Sequence, residues 1–140
     1  MAGKSREWSS EAGVTLIELI VVLVILGMLA AVVAPKVYEK LSTSKDKIAK
    51  IQITEFEGAL QLYSFDMGRF PDTGEGLDAL VRNPVGNQSW NGPYLAKELP
   101  KDPWQRDYVY RHPGMHGDFD LLSLGADGAE GTEDDICSWK

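Results

Sequence analysis

The chain has 140 residues, room for one ordinary domain and not for two comfortable ones. With 44% apolar and 25% charged residues it has the composition of a folded protein, and a net charge of -7 speaks against a non-specific nucleic-acid binder. A single cysteine, Cys137, and only two histidines, His112 and His116, exclude an internal disulfide framework and a Cys- or His-rich metal site.

Residues 1–13 (MAGKSREWSSEAG) are polar and end in Gly13. Residues 14–34 (VTLIELIVVLVILGMLAAVVA) form an apolar run whose one ionisable side chain is Glu18. As a helix at about 1.5 Å per residue, the run reaches roughly 30 Å, the thickness of a bilayer hydrocarbon core. The apolar part of a secretory signal peptide is usually only about 7–15 residues and ends at a small-residue cleavage site. This run is longer and leads directly into more helical sequence, so a retained membrane span is expected. A carboxylate in such a span costs a few kcal/mol and points to a function. A position one turn inside, near the headgroups, explains why Glu18 is tolerated and gives no reason for its presence. Lys4 and Arg6 are offset by Glu7 and Glu11, and Lys36 and Lys40 follow the span, so charge alone does not orient it.

Pro35 removes a backbone donor and crowds the preceding turn, which predicts a kink or break between residues 31 and 35. From 45 to 63 the pattern is that of an amphipathic helix. Ile48, Ile51, Phe56, Ala59, Leu60 and Tyr63 are expected on the core face, opposite Lys50, Thr54, Glu57 and Gln61. Gly and Pro punctuate residues 66–106, with a short helix expected around 77–82. Two strands are expected at 107–111 (DYVYR) and 118–124 (DFDLLSL), forming an antiparallel hairpin on the amphipathic helix. Trp90, Tyr94 and Trp104 read as packing residues. The fold class expected is α+β, a long N-terminal helix on a small antiparallel sheet. No phosphate-cradling loop or nucleophile elbow is present in the sequence, and no enzyme is expected.

The acid is concentrated at the end. Residues 112–139 hold Asp118, Asp120, Asp127, Glu130, Glu133, Asp134 and Asp135 with no Lys or Arg, which accounts for the whole net charge. Asp127, Asp134 and Asp135 fall in a glycine-rich loop directly after the second strand. Crowded carboxylates stay apart through solvent or are drawn together by a hard cation such as Ca²⁺, which takes six to eight oxygens in irregular geometry. The spacing is not that of an EF-hand, whose third and twelfth positions would be Ala129 and Ser138. The residues alone leave a solvated loop and a cation site both open. Glu130 and Glu133 read as solvated.

The junction EAG-VTLIE, followed by an uninterrupted apolar helix, resembles the N-terminal signal of type IV pilins and pseudopilins. The resemblance implies cleavage after Gly13 by a prepilin peptidase on the cytoplasmic side and N-methylation of the new first residue, Val14. Val stands where Phe is usual. It implies that Glu18 faces the N-terminal amine of a neighbouring subunit during assembly, and that helix is lost between Gly27 and Pro35 in the filament. The ordered strings RFPDTGEGLDALV, GPYL, LPKDPWQRDY and HGDFDLLSLGADG narrow the resemblance to the major pseudopilin of type II secretion systems.

Four expectations follow from that resemblance. Residues 1–13 are a removed leader, 14–34 the transmembrane and filament-core helix, and 35–140 a periplasmic domain. Within that domain, 35–65 continue the helix, 66–106 are loop-rich, and 107–140 hold the hairpin and a calcium loop. Ca²⁺ is bound by the carboxylates of Asp127, Asp134 and Asp135 and by carbonyls of Leu124, Ala129 and Thr132. The partners are other copies of the chain in a helical homopolymer, minor pseudopilins, the peptidase, the inner-membrane assembly platform, the secretin and secreted proteins, with no nucleic acid. The chain is placed in the inner membrane as a single pass, N-terminus cytoplasmic and C-terminal domain periplasmic. The alternatives are a type IV pilin or a minor pseudopilin, against which the calcium-loop string and the lack of a cysteine pair speak, and a monomeric signal-anchored calcium-binding protein. A monomeric anchored calcium-binding module has no use for Glu18.

Overall fold

The computed structural model describes residues 13–84 and 86–140. Of the expected leader, all but Gly13 lies outside the described residues. Helix α1 runs Leu16–Met67, and a single 3-10 turn covers Leu77–Leu80. Strands β1 (Val109–Arg111), β2 (Asp120–Ser123) and β3 (Ile136–Cys137) follow. The chain divides into two compact units, Met1–Glu39 and Lys40–Lys140.

In the first unit, Thr15 opens the helix. Its hydroxyl accepts the Glu18 amide at 3.3 Å, and its carbonyl accepts the Leu19 amide at 3.1 Å. The first bond satisfies a donor that a helix start leaves without a partner, the second opens the helix's own ladder, and Glu18 falls in the first turn, where a negative charge complements the helix dipole. The helix contains a stretch long and apolar enough to cross a membrane, and none of that stretch is buried within the chain. Of the kink or break expected between residues 31 and 35, the break does not occur: α1 is continuous helix through Gly27 and Pro35. A proline costs one ring clash and one missing hydrogen bond, and the bonds of the neighbouring turns carry the helix across it.

In the second unit, α1 buries Ala49, Ile53, Phe56, Ala59, Leu60 and Tyr63. The expected face is therefore corrected at its start. Ile48 and Ile51 are exposed, and Ala49 and Ile53 take the core positions. Spacings of three and four residues from 49 to 63 put these side chains on one stripe, which Ile48 and Ile51 do not share. The stripe packs with Leu77, Leu80, Tyr108, Tyr110 and Leu121, and Trp90, Tyr94 and Leu95 close the edge. Phe56 meets Tyr108 edge to face with centroids 5.0 Å apart.

The sheet has three antiparallel strands in the order β1-β2-β3, not two. Tyr110 pairs with Leu121, and Leu122 with Cys137. All of β2 is buried, as befits a central strand. Because side chains alternate along a strand, Leu121 and Ser123 share one face and Asp120 and Leu122 the other. The acidic residues 124–135 connect β2 to β3, so both ends of that loop are fixed by the sheet.

Candidate functional site: the acidic loop between the last two strands

The loop starts where β2 stops. Gly125 has φ +59, and a Cβ there would lie 2.7 Å from Asp134 Oδ2. Only glycine meets both the left-handed turn and that close approach. The Asp127 amide donates to Asp134 Oδ2 at 2.9 Å, and the Ala129 amide donates to Asp127 Oδ1 at 2.8 Å. The Gly128 amide reaches back to the Leu124 carbonyl at 3.1 Å. Asp135 Oδ2 accepts the amides of Gly131 at 2.7 Å and Thr132 at 3.3 Å. Its Oδ1 is buried and has no hydrogen-bond partner among the described residues.

One hydroxyl sits at the centre. Thr132 Oγ1 is 2.5 Å from Asp134 Oδ1, 3.1 Å from the Ala129 carbonyl and 3.4 Å from Asp127 Oδ1. A threonine hydroxyl has one proton, so it can donate to only one of these three acceptors. Four oxygens thus converge around a single hydrogen. The Thr132 hydroxyl and the Asp127 amide together hold the Asp134 carboxyl down at about 2. The donor set is wholly oxygen, from carboxylates, a hydroxyl and a carbonyl, which is the chemistry a hard cation selects. No hydrogen bond among the described residues joins Asp135 to these four oxygens, and its buried Oδ1 is a separate acceptor left over. Among the described residues, no three His, Cys, Asp or Glu side chains stand together as a ready metal cluster. The carboxylates here are turned to protein donors.

All six predicted residues lie in this one loop. Contacts join Asp127, Ala129, Thr132 and Asp134 directly. The Leu124 carbonyl is taken by Gly128, and the Thr132 carbonyl accepts the Asp135 amide at 3.4 Å. Glu130 is not simply solvated, as the sequence suggested. It accepts two bonds from Arg111 of β1, at 2.6 and 2.8 Å. That Arg111 fork holds Glu130 below the ordinary carboxylate range.

Two further residues were not anticipated. Asp102, only 1% exposed, accepts the amides of Trp104 and Arg106 and the Ser123 hydroxyl. Arg106 donates to the carbonyls of Gly125 at 2.6 Å and Ala126 at 3.3 Å. Both lie in the LPKDPWQRDY string, where no local pattern marks a residue that acts on a loop about 20 positions away.

A membrane-length apolar helix and a small three-stranded unit on one chain define a pilin-like subunit. Residues 36–139 match the family model described as type II secretion system (T2SS), protein G, and residues 8–34 match the prokaryotic N-terminal methylation motif. The chain is 47% identical over 135 residues to the type II secretion system core protein G of Pseudomonas aeruginosa, covering 92% of this chain and 95% of that protein. It is 41% identical over 140 residues to the core protein G of Vibrio cholerae, covering 96% and 95%. A crystal structure of the major pseudopilin from the type 2 secretion system of enterohaemorrhagic Escherichia coli superposes with a TM-score of 0.60 at 35% identity, covering 69% of this chain and 88% of that one. The chain belongs to the type II secretion system protein G family.

Proposed function

We propose that this pseudopilus subunit is held in the inner membrane by residues 14–34, with its N-terminus cytoplasmic and residues 35–140 periplasmic. Prepilin peptidase cuts after Gly13 and methylates Val14. The assembly platform then draws the subunit into a helical homopolymer with minor pseudopilins. The growing filament drives folded proteins through the secretin, and the chain acts as a structural subunit, not an enzyme.

The observation that carries this reading is the membrane-length apolar stretch of α1, left wholly unburied by its own chain. Outside a bilayer that surface is covered only by other copies, because apolar area of this extent does not stay in water. Glu18, in the first turn, pairs with the amine of a neighbour, and each charge offsets the cost of burying the other. On assembly, helix is lost between Gly27 and Pro35, where one backbone bond is already missing. Ca²⁺ is held by Asp127, Asp134 and Asp135 with the carbonyls of Leu124, Ala129 and Thr132, and supplies the positive charge that the converging oxygens lack.

Overexpression with the assembly platform, followed by electron microscopy of sheared material, tests the polymer. Filaments containing the chain are expected, and their absence from a processed, membrane-inserted protein would overturn the reading.

A further inference from the structure

Arg106 is a cation set among the carbonyls of the most acidic part of the chain, yet among the described residues it makes no ion pair there. Its guanidinium spends its donors on backbone, at Gly125 and Ala126. A Cβ on Gly128 would lie 2.7 Å from Arg106 Cζ, and Gly128 has φ +73, so the guanidinium packs where a side chain would otherwise stand. The arginine is itself held from behind. Asp102 Oδ1 accepts the Arg106 amide at 2.8 Å, and the Arg106 carbonyl accepts the Asp102 amide at 2.8 Å. Asp102 Oδ2 takes the Ser123 hydroxyl at 2.6 Å, and that same hydroxyl oxygen accepts the Gly125 amide at 3.4 Å. Residues 123–126 are thus gripped from two sides by one turn, 102–106, which lies outside the loop.

We infer that Arg106, anchored by Asp102, is a positioning residue that fixes the backbone of 124–128, the segment that brings Asp127 and the Leu124 carbonyl to the proposed cation site. This rests on the reading of the loop as a Ca²⁺ site. The planar fork of arginine reaches two adjacent carbonyls at once, which the point charge of lysine does not. Orienting groups of this kind typically change metal affinity about 10–100-fold when removed.

The sign of the effect separates positioning from electrostatics. Deleting a positive charge beside a divalent-cation site strengthens binding if charge is all that matters. Deleting a positioning residue weakens it. The experiment uses the full chain purified in detergent, titrated with calcium by calorimetry. Arg106→Gln is expected to lose about tenfold or more in calcium affinity, and Arg106→Lys, which keeps the charge, to show an intermediate loss. A tighter Arg106→Gln with an unchanged Arg106→Lys would overturn the inference.

Amide hydrogen exchange in chelator supplies a second readout that needs no metal. The amides of Asp127, Gly128 and Ala129 are expected to exchange several-fold faster in Arg106→Gln, and in Arg106→Lys to a smaller degree, than in wild type. Unchanged exchange overturns the inference. A wild type that shows no calcium response but slow exchange at these amides would instead remove the calcium reading and leave the positioning by Arg106 standing.

Discussion

Arg69 and Glu75 meet in two parallel hydrogen bonds of 2.7 and 2.8 Å, and Glu75 also accepts the Asp72 amide at 2.9 Å. The fork closes the loop that carries the chain from α1 to the 3-10 turn. Arg69 is the main cause that holds the Glu75 carboxyl below its ordinary value, against the pull of burial. A depressed folded-state pKa gives stability that is present above the unfolded value and lost as pH falls through the folded one. The Arg69 side chain is 41% exposed, so the pair is screened and is worth about 0.5–1 kcal/mol. Glu75→Gln is therefore expected to melt slightly lower than wild type at pH 7, with the gap closing as pH falls below the ordinary glutamate range. A gap of constant size across that fall would show that the fork acts by shape alone.

Ile51 and Ile53 offer a matched pair two positions apart. Ile53 is 2% exposed and Ile51 is 60% exposed. Ile53→Ala leaves a cavity in the core and should cost about 2–5 kcal/mol. Ile51→Ala should change stability by no more than about 0.5 kcal/mol. Thermal or denaturant unfolding of the two variants checks both numbers. Equal losses would mean that the core face of α1 is misassigned.

This pair also shows where the sequence is ambiguous. The stretch KDKIAKIQIT has isoleucines at 48, 51 and 53, and helical periodicity fits a face through 48 and 51 as well as one through 49 and 53. The sheet decides between them, through Leu121 and the tyrosines of β1 and its approach. The long helix, the turn-rich middle and two strands were legible because their periods or turn residues are local. β3 was not, since two residues cannot display an alternation and the strand exists only through pairing of Cys137 with Leu122. The ends of the acidic loop were legible as carboxylates, and Gly125 only as one turn glycine among many. What arranges them was hidden. Asp102 looks like one more charged turn residue and is almost completely buried, and the Arg111–Glu130 fork joins residues 19 positions apart.

Gly13 is exposed, and a Cβ built on it meets nothing within 4 Å. Its φ is not in the left-handed region either, so the fold has no need of glycine there. Gly13→Leu should therefore fold and insert normally but remain at full length, as intact mass would show. Glu18→Val separates a second step. The capping bond to Thr15 comes from the backbone amide and survives the change. The variant should insert and be processed yet give few filaments in sheared preparations. Normal processing of the first variant, or wild-type filament yield of the second, would contradict the proposed maturation or assembly role.

Calcium should stabilise the unit Lys40–Lys140 through the loop that joins β2 to β3. A cation bound to the native state alone adds about 2.7 kcal/mol when free ion is a hundredfold above Kd. The full chain in detergent is thus expected to melt several degrees lower in chelator. Asp134→Ala removes the carboxylate that closes the loop on the Asp127 amide and takes the Thr132 hydroxyl, so it should melt low with or without calcium. Gly125→Ala should do the same for a different reason, since its Cβ would displace Asp134 from a backbone that already needs a positive φ. Asp118→Ala is the control. Asp118 acts in the β1–β2 connection through its carbonyl, which accepts the Gly114 amide at 3.0 Å and lies 2.8 Å from His112 Nδ1, and the substitution keeps that carbonyl. Its calcium response should match wild type. If chelation leaves the wild-type melting temperature where it was, the converging oxygens are satisfied by the Thr132 proton and water, and the calcium site is wrong.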